Sequence, residues 1–497
     1  MTVKDREVHE AVVESEGIGT MVQEDAELVV ADEDAQDLVL YAGAWKNDDK
    51  RTQRIGCVIP AYNEEDSILA VLDSLLAQTR PPDEVHVIVN NCKDDTFWEA
   101  SKRAGQHTVS YREQEFEVAI HVHDVGTLPE RKVGALNIGF HLVEHCDYFL
   151  GVDGDTVLDR RAVENLLAEL HADSRIGGIS AIYTIDYQER GAWDNYLISG
   201  QRQQFASFNM LNLLRGRNMS VLGGQCSLFS IEALKAVRDE HRQLGPWVLD
   251  SEVEDSLLSI QLKRLGYLTK ISATARANVG GMTTLKSLDA QQVKWNYGAI
   301  DLMWPGQRGN TTGMPFHPNV RVRWIEHGSM LMNMLVRFGL ILLVAASLSI
   351  SAFSFNPIWL IPPLVSVLLN LRIALSMKQR TGKDILFALL FFPAEIYMWL
   401  KIGHFLRAWT KFFMRTQVDN WAAQAAAESG KGTNAYLKPV IYGLVTFAAL
   451  TIIWIQLPLL AKEIALWFAW PALAVLATLQ TLGMIFKLIR RHRGYMV

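Results

Sequence analysis

The chain has 497 residues, of which 49% are hydrophobic, and a formal net charge of -6. This length allows two or three domains with hydrophobic cores, and an acidic balance without a basic stripe in the first half argues against a partner made of nucleic acid. The four cysteines are widely spaced and form no CxxC-type pair, so neither a zinc site nor a disulfide framework is predicted.

The first 50 residues are predicted to be an acidic N-terminal tail. Residues 1–40 hold twelve Asp or Glu residues against Lys4 and Arg6, a balance typical of a solvated segment. The N-terminus has no basic stretch followed by an apolar core, so a cleaved signal peptide is not expected.

From Ile55 onward, short β-rich runs alternate with helical ones. The runs 55–60 and 84–89 read as strands, and 66–78 has apolar residues at helical spacing between them. A strand, a helix and a strand within about forty residues form a βαβ unit, which predicts an α/β domain with a parallel sheet. Further strands are predicted at 116–121, 148–152 and 178–182, and further helices at 134–144 and 161–171.

Two carboxylates, Asp153 and Asp155, follow the apolar run 148–152. Open α/β sheets bind ligands at the carboxyl ends of their strands. Closely spaced carboxylates suit Mg²⁺ or Mn²⁺ carrying substrate phosphates. The alternative is that Asp-Gly-Asp is only an acidic turn after a strand.

Three other loops bring polar groups to the same edge of the sheet. Residues 60–65, Pro-Ala-Tyr-Asn-Glu-Glu, offer an aromatic ring and carboxylates to a base and ribose, or form a turn in which Asn63 caps the next helix. Residues 90–96 are rich in Asn and Asp, and are otherwise an ordinary turn. Arg131 and Lys132 suit a diphosphate, although a basic pair is also common on a solvated surface.

Taken in order, these loops resemble the family 2 glycosyltransferases, whose fold is called GT-A. Two later segments strengthen the resemblance. Val253-Glu254-Asp255 is similar to the Thr-Glu-Asp signature of the family, and Gln291-Gln292-Val293-Lys294-Trp295 is similar to the Gln-x-x-Arg-Trp motif of membrane-integrated cellulose, chitin, hyaluronan and poly-N-acetylglucosamine synthases. The resemblance covers about residues 55–300.

The resemblance implies an inverting, metal-dependent transfer of a sugar from a nucleotide-sugar donor, expected to be UDP-linked, to a growing polysaccharide or glycan. Asp155 and Asp153 would hold Mg²⁺ or Mn²⁺, Asp255 would be the general base, and Glu254 would support it. The alternative for Glu254 and Asp255 is an ordinary acidic first turn of a helix. Contacts to the nucleotide sugar are expected from Pro60, Tyr62, Glu64, Asn91, Asp94, Lys132 and Asp153.

The acceptor side is expected to involve Gln291, Lys294, Trp295 and Gly224. Trp295 would form an aromatic floor for the acceptor sugar, while Gln291 and Lys294 would contact the diphosphate or the acceptor. Three positions depart from the family pattern: Asn90-Asn91 replaces two Asp residues, Val253 replaces Thr, and Lys294 replaces Arg, which exchanges a bidentate fork for a point charge.

The predicted architecture is a GT-A domain at 51–314 followed by an all-α transmembrane domain at 315–497. Spanning helices are expected at 329–353, 357–377, 437–457 and 464–486, because these runs are long, apolar and poor in charge. The segment 385–413 is predicted to be re-entrant or interfacial, with five or six spans as the alternative. The helix predicted at 193–214 could lie at the membrane surface or pack on the domain core.

The distribution of cations predicts the orientation. Residues 378–383 and 487–493 are basic, whereas the turns of the two apolar hairpins are poor in cations, so the catalytic domain of a plasma-membrane protein is predicted to be cytoplasmic. Membrane lipids would then be partners. Two other functions remain open: a non-processive transferase that makes a polyprenyl-phosphate-linked sugar or glycolipid, and a transporter or scaffold with an inactive nucleotide-binding domain.

Overall fold

The computed structural model describes residues 53–187, 191–251, 253–304, 318–414, 423–424, 426–427, 437–491 and 494–497. The acidic tail predicted for residues 1–50 lies outside these ranges.

The described chain begins with an α/β domain built on one nine-stranded sheet. Its strands are β1 Ile55–Ala61, β2 Glu84–Val89, β3 Gly105–Tyr111, β4 Gln114–Asp124, β5 Tyr148–Val152, β6 Val157–Leu158, β7 Ile176–Thr184, β8 Cys226–Ser230 and β9 Leu268–Asn278. Its helices are α1 Ile68–Leu76, α2 Thr96–Ser101, α3 Arg131–Val143, α4 Ala162–His171, α5 Ala192–Arg215, α6 Ile231–His241, α7 Glu254–Arg264 and α8 Leu285–Met303. The predicted α/β class is confirmed.

The sheet is mixed, so the expectation of a parallel sheet holds only in part. The strand order is β3-β4-β2-β1-β5-β8-β7-β9-β6. Strands β4, β2, β1 and β5 are parallel neighbours, as the βαβ pattern predicts. Strand β3 is antiparallel to β4 because a tight turn, with Arg112 at a positive φ of 55°, joins them directly. Strand β8 runs antiparallel between β5 and β7, and the pattern of apolar residues alone did not predict it.

Strand β1 lies at the centre of the parallel half, and all seven of its residues are buried. A strand that is covered on both faces needs a continuous apolar run rather than an alternating one. The sequence of β1 is such a continuous run. Next to β1, Phe149 of β5 packs against the ring of Trp247 at a centroid distance of 5.0 Å. The rigid centre of the sheet therefore fixes the positions of the loops that follow β1, β2 and β5.

A set of apolar helices follows the sheet domain: α9 Pro318–Ser349, a short 3-10 helix Pro357–Leu360, α10 Ile361–Leu375, α11 Gly382–Leu389, α12 Phe391–Phe413, α13 Leu437–Gln456 and α14 Leu459–Ile489. Three segments, Val320–Ser349, Pro357–Leu375 and Leu459–Ile489, are long and apolar enough to cross a membrane. They expose most of their apolar side chains, as lipid-facing helices do. These three overlap the spans expected at 329–353, 357–377 and 464–486.

Helices α11 and α12 are bent by 83° relative to each other, the geometry of a broken span or a re-entrant loop. This pair covers the segment 385–413. The span expected at 437–457 coincides with α13, of which the shorter stretch Gly443–Gln456 is apolar. The number of spans therefore stays a prediction.

A buried ion pair joins the sheet domain to the apolar helices. Nε of Arg202, on α5, donates to Asp384 Oδ1 at 2.8 Å, and both side chains are almost completely buried. Tyr187 also donates its hydroxyl to Asp384, at 3.0 Å. Of the two alternatives for the helix predicted at 193–214, packing on the core is observed, because α5 lies against β7 and β9 on one side and α10 and α11 on the other.

Candidate active site

A cavity of about 1310 Å³ opens at the carboxyl ends of β1, β2 and β5. Helices α5, α7, α8, α9 and α12 also contribute residues to its wall. Of the residues predicted to form the site, those lining this cavity are Pro60, Tyr62, Glu64, Asn91, Asp94, Lys132, Asp153, Asp155, Glu254, Asp255, Gln291, Lys294 and Trp295. The backbone of Gly224 lies directly behind the wall, where it contacts Asp255.

Lys132 connects the Asp-Gly-Asp turn to the acidic pair on α7. Its Nζ lies 2.6 Å from Asp153 Oδ1 and 3.7 Å from Glu254 Oε1. The surrounding carboxylates raise the pKa of Lys132 despite its burial. The side chain is therefore a firmly charged cation among four carboxylates, well placed to bind an anionic diphosphate.

Asp155 has a negative charge that its surroundings compensate poorly. Burial, and then the nearby charge of Asp153, raise its pKa to about 6, while Thr156 donates only a long hydrogen bond of 3.3 Å to it. Gly280 packs so closely against the carboxylate that a Cβ there would collide with it. The carboxylates of Asp153 and Asp155 thus offer oxygen ligands in a partly buried position, and of the two it is Asp153 that pairs with Lys132. Such ligands fit a hard divalent metal such as Mg²⁺ or Mn²⁺.

Glu254 and Asp255 do occupy the first turn of α7, but they are more than solvated residues of a helix N-terminus. Glu254 is only 4% exposed, and both side chains line the cavity. Oδ2 of Asp255 accepts a 2.7 Å hydrogen bond from the backbone N–H of Gly224. Burial, with a further contribution from the charge of Glu254, raises the pKa of Asp255 to about 8, which is a suitable value for a general base near neutral pH.

The loops after β1 and β2 bind each other. The backbone N–H of Glu64 donates to Thr96 Oγ1 at 2.7 Å, and that of Asp95 donates to Glu65 Oε2 at 3.0 Å. Asn63, which the alternative interpretation of this loop made a helix cap, has a positive φ of 55° and accepts a hydrogen bond from the N–H of Lys93. These contacts fix the end of the cavity at which Tyr62 is 38% exposed.

Asn91 and Asp94 have structural partners of their own. Asn91 Nδ2 donates to the carbonyl of Leu128, and its Oδ1 accepts from the N–H of the same residue. Asp94 Oδ1 accepts from the hydroxyl of Thr96 at 2.6 Å. Both side chains therefore shape the loops, and their contact with a nucleotide stays a prediction.

The segment from Gln291 to Trp295 lies on α8. Lys294 is only 5% exposed, and the ring of Trp295 meets Phe205 edge to face at 6.3 Å. Helix α8 packs on α12, and Asp289 of α8 forms an ion pair with Arg407 of α12. This part of the cavity is thus built jointly by the sheet domain and the apolar helices.

Several cavity residues were not predicted from the sequence. The hydroxyl of Tyr183, on β7, donates to the carbonyl of Gly223 at 3.0 Å and so fixes the glycine loop behind Asp255. Gly280 is one of two consecutive glycines, a sequence signal for close backbone approach that could have been used. The charged residues at the far end of the cavity, Arg323, Glu326 and Lys401, come from α9 and α12, and only the fold brings them to the site.

Two sequence families match this chain. The model of "Glycosyl transferase family 2" matches residues 57–238, and that of "Glycosyl transferase family group 2" matches residues 148–373. Together they cover the sheet domain and helices α9 and most of α10. The matched residues include the Asp-Gly-Asp turn, the acidic pair of α7 and the segment from Gln291 to Trp295.

Curated relatives are distant but consistent. Poly-beta-1,6-N-acetyl-D-glucosamine synthase of Staphylococcus epidermidis is 22% identical over 270 residues, which are 52% of this chain and 59% of the relative. The probable glycosyltransferase YdaM of Bacillus subtilis is 22% identical over 259 residues, which are 51% of this chain and 57% of the relative. The chain therefore matches a little more than half the length of these relatives.

Among solved structures, the chain is similar to a mannosyltransferase of Pyrobaculum calidifontis in complex with GDP-Man and Mn²⁺. The two are 16% identical, the match covers 93% of this chain and 99% of that chain, and the TM-score is 0.34. The two family models, which together span residues 57–373, and the relatives, which are synthases and glycosyltransferases, support a family 2 glycosyltransferase that resembles polysaccharide synthases.

Proposed function

We propose that this protein is a membrane-bound, inverting glycosyltransferase that moves a sugar from a nucleotide-sugar donor to a growing polysaccharide. The observation that carries the proposal is the position of Lys132 between two pairs of carboxylates in one cavity: Asp153 and Asp155 on one side, Glu254 and Asp255 on the other. One pair suits a metal-bound diphosphate, and the other suits deprotonation of an acceptor.

In this proposal, the donor diphosphate lies between Lys132 and the Asp-Gly-Asp turn. A divalent metal held by Asp153 and Asp155 would neutralise charge on the leaving diphosphate. Lys132 would contribute a second positive charge from the side of α7. The predicted preference for a UDP-linked donor stays open, because the side chain of Asn91 is already bound to Leu128.

Asp255 would act as the base. Its Oδ2 is fixed by Gly224, which leaves Oδ1 to accept the proton of an acceptor hydroxyl. The hydroxyl oxygen then forms a bond to the anomeric carbon as the bond from that carbon to the diphosphate breaks. Attack on the face opposite the leaving group inverts the configuration at the anomeric carbon.

The acceptor would occupy the remainder of the cavity. A volume of about 1310 Å³ exceeds the roughly 300–1,000 Å³ of common small-molecule pockets, so a donor and an acceptor sugar fit together. Trp295 and Phe205 offer aromatic surface for a sugar face. Similarity to the poly-beta-1,6-N-acetyl-D-glucosamine synthase supports a polysaccharide product.

A single transfer to a polyprenyl phosphate is the second candidate. The observation in its favour is that the cavity reaches Arg323 and Lys401, cations on the apolar helices that could hold a lipid phosphate. Membrane insertion through α9, α10 and α14, with the sheet domain in the cytoplasm, is part of both candidates.

Purified full-length protein should be incubated with UDP-, GDP- and dTDP-sugars and either Mg²⁺ or Mn²⁺, with release of nucleoside diphosphate as the readout. We expect nucleoside diphosphate to be released from the sugars of one nucleotide class. This release should depend on the metal and should be absent in Asp255→Asn. Product length then separates the candidates, because a polymer supports a synthase and one sugar on a lipid supports the alternative. The protein must first be shown to be folded by a cooperative thermal unfolding transition. If such protein then releases no nucleoside diphosphate from any donor, both candidate functions are contradicted.

A further inference from the structure

A group of basic side chains gathers where the sheet domain meets the apolar helices, beside the catalytic cavity. Arg215 lies close enough to Arg323 and Arg490 for their charges to interact, and Lys263 interacts in the same way with Arg215 and Arg323. Lys487 does so with Arg215 and Lys401. We call this group the junction cluster: Arg215, Lys263, Arg323, Lys401, Lys487 and Arg490.

Among the described residues, the carboxylate of Glu326 interacts with four of these six cations: Arg215, Arg323, Lys401 and Lys487. Arg323 Nη1 lies 3.1 Å from Glu326 Oε2, and Arg215 Nη2 lies 4.0 Å from its Oε1. The excess of like charge acts on the cations themselves: burial, followed by the charges of the neighbouring arginines, lowers the pKa of Lys263 to about 8. Partly buried cations that outnumber the carboxylates paired with them are costly, and an anion in their midst would reduce that cost.

The junction cluster lies at the ends of candidate membrane spans. Lys487 is in the last turn of α14, Arg490 follows that helix, and Arg323 precedes the apolar part of α9. Nη2 of Arg490 donates to the carbonyl of Leu214 at 3.1 Å, which connects the end of α14 to α5. Basic side chains between membrane helices, at the level where the helices end, are suited to the head groups of anionic lipids.

We propose that the junction cluster binds the phosphate of an anionic lipid head group. Arginine side chains from different helices can grip phosphate oxygens through their planar forks, and the lysines add positive charge around them. This site adjoins the donor site: Arg323 and Lys401 line the catalytic cavity, whereas Arg215, Lys263 and Lys487 do not line it as its described residues define it.

The lipid site is coupled to the catalytic helix through Arg323. This side chain lines the cavity, and its Nη2 donates to the hydroxyl of Ser256 at 3.0 Å. Ser256 is the neighbour of Asp255 on α7. A phosphate that binds Arg323 therefore affects the hydrogen bonding of the turn that carries Asp255, so anionic lipid should change turnover as well as stability.

The test uses the full chain purified in neutral detergent and measures its thermal unfolding midpoint during titration with phosphatidylglycerol. A ligand that binds the folded state raises this midpoint. We expect phosphatidylglycerol to raise the midpoint and phosphatidylcholine to leave it unchanged. The double variant Lys263→Gln with Lys487→Gln should need at least about tenfold more phosphatidylglycerol for the same rise. Glu326→Gln should need less, because it removes the competing carboxylate.

Two controls separate binding from damage to the fold. Lys462→Gln neutralises a cation at the opposite end of α14 and should respond to lipid as the unaltered protein does. Because the cations repel one another, Lys263→Gln without lipid should unfold at the same temperature as the unaltered protein or a higher one. A lower midpoint would mean that Lys263 has a structural role instead.

The proposal is overturned if the double variant and the unaltered protein respond equally to phosphatidylglycerol. It is also overturned if inorganic phosphate gives the cluster-dependent rise and the lipid does not, since the ligand would then be a soluble anion. The midpoint requires no sugar transfer, so a failure of the proposed enzymatic function would leave this result standing.

Discussion

The backbone N–H of Gly224 donates a 2.7 Å hydrogen bond to Oδ2 of Asp255. A Cβ at position 224 would lie 3.1 Å from the same oxygen and 3.0 Å from Lys132 Nζ, so glycine allows the loop to approach both groups. The hydrogen bond fixes Oδ2 of the carboxylate, and Oδ1 is the oxygen that we propose as the proton acceptor. The proposed role of Asp255 as a base can therefore be tested separately from its role in the fold.

Asp255→Asn should abolish turnover while preserving the fold. The amide oxygen can still accept from Gly224, but the side chain can no longer take a proton, so kcat should fall by about 10²-fold or more. Nucleoside diphosphate release measures the loss, and a nucleotide-binding titration should be nearly unchanged. Asp239→Asn, at an exposed residue of α6, is the matched control, and substantial activity in Asp255→Asn would assign the base to another residue.

The rate should increase with pH through the neutral range. A carboxyl with a pKa of about 8 is mostly protonated at pH 6, and only its deprotonated form can accept a proton. Below that pKa, kcat/KM should therefore rise roughly tenfold per pH unit and then level off. A profile of kcat/KM from pH 5.5 to 9 provides the measurement, and a flat profile would mean that proton transfer to Asp255 does not limit the reaction.

The sequence predicted the central strands because their signals are local. The run from Ile55 to Pro60 is apolar throughout, and β1 is buried throughout. The antiparallel insertion of β8 between β5 and β7 depends on pairing between residues far apart in the chain, which periodicity does not record. The candidate site shows the same contrast. The Asp-Gly-Asp turn has a local sequence signal and was predicted, whereas Arg323 and Lys401 reach the cavity only through contacts between distant parts of the chain and were not predicted.

Asp155→Ala should weaken metal binding and with it metal-dependent turnover. The carboxylate packs closely against Gly280, and its pKa is raised to about 6 by burial and by Asp153, so a bound metal would relieve an unfavourable charge. In the unaltered protein, Mn²⁺ should raise the thermal unfolding midpoint, and less so below pH 6 because the ligand must be deprotonated. An equal metal response in Asp155→Ala would locate the metal elsewhere.

Asp384→Asn should destabilise the contact between the sheet domain and the apolar helices. Asp384 is 1% exposed and Arg202 is 4% exposed, and removal of one partner of a buried ion pair typically costs about 3–5 kcal/mol. The thermal unfolding midpoint in detergent should fall clearly. The double variant Arg202→Met with Asp384→Leu is the control, since it leaves no charge unpaired and should recover part of the loss. No recovery would show that the contacts of each residue with Tyr187 and the backbone matter more than their mutual attraction.

Trp295→Ala should impair use of the acceptor more than binding of the donor. The indole lines the cavity on α8 and meets Phe205 at 6.3 Å, whereas the Asp-Gly-Asp turn follows β5. Loss of a stacking surface should raise the acceptor KM about fivefold and shorten the products, while the donor KM stays within about twofold. Trp295→Phe retains an aromatic face and should be intermediate. Equal increases in the KM for the donor and the KM for the acceptor would instead indicate that Trp295 supports the shape of the whole cavity. Products of the same length as those of the unaltered protein would contradict contact between Trp295 and the acceptor.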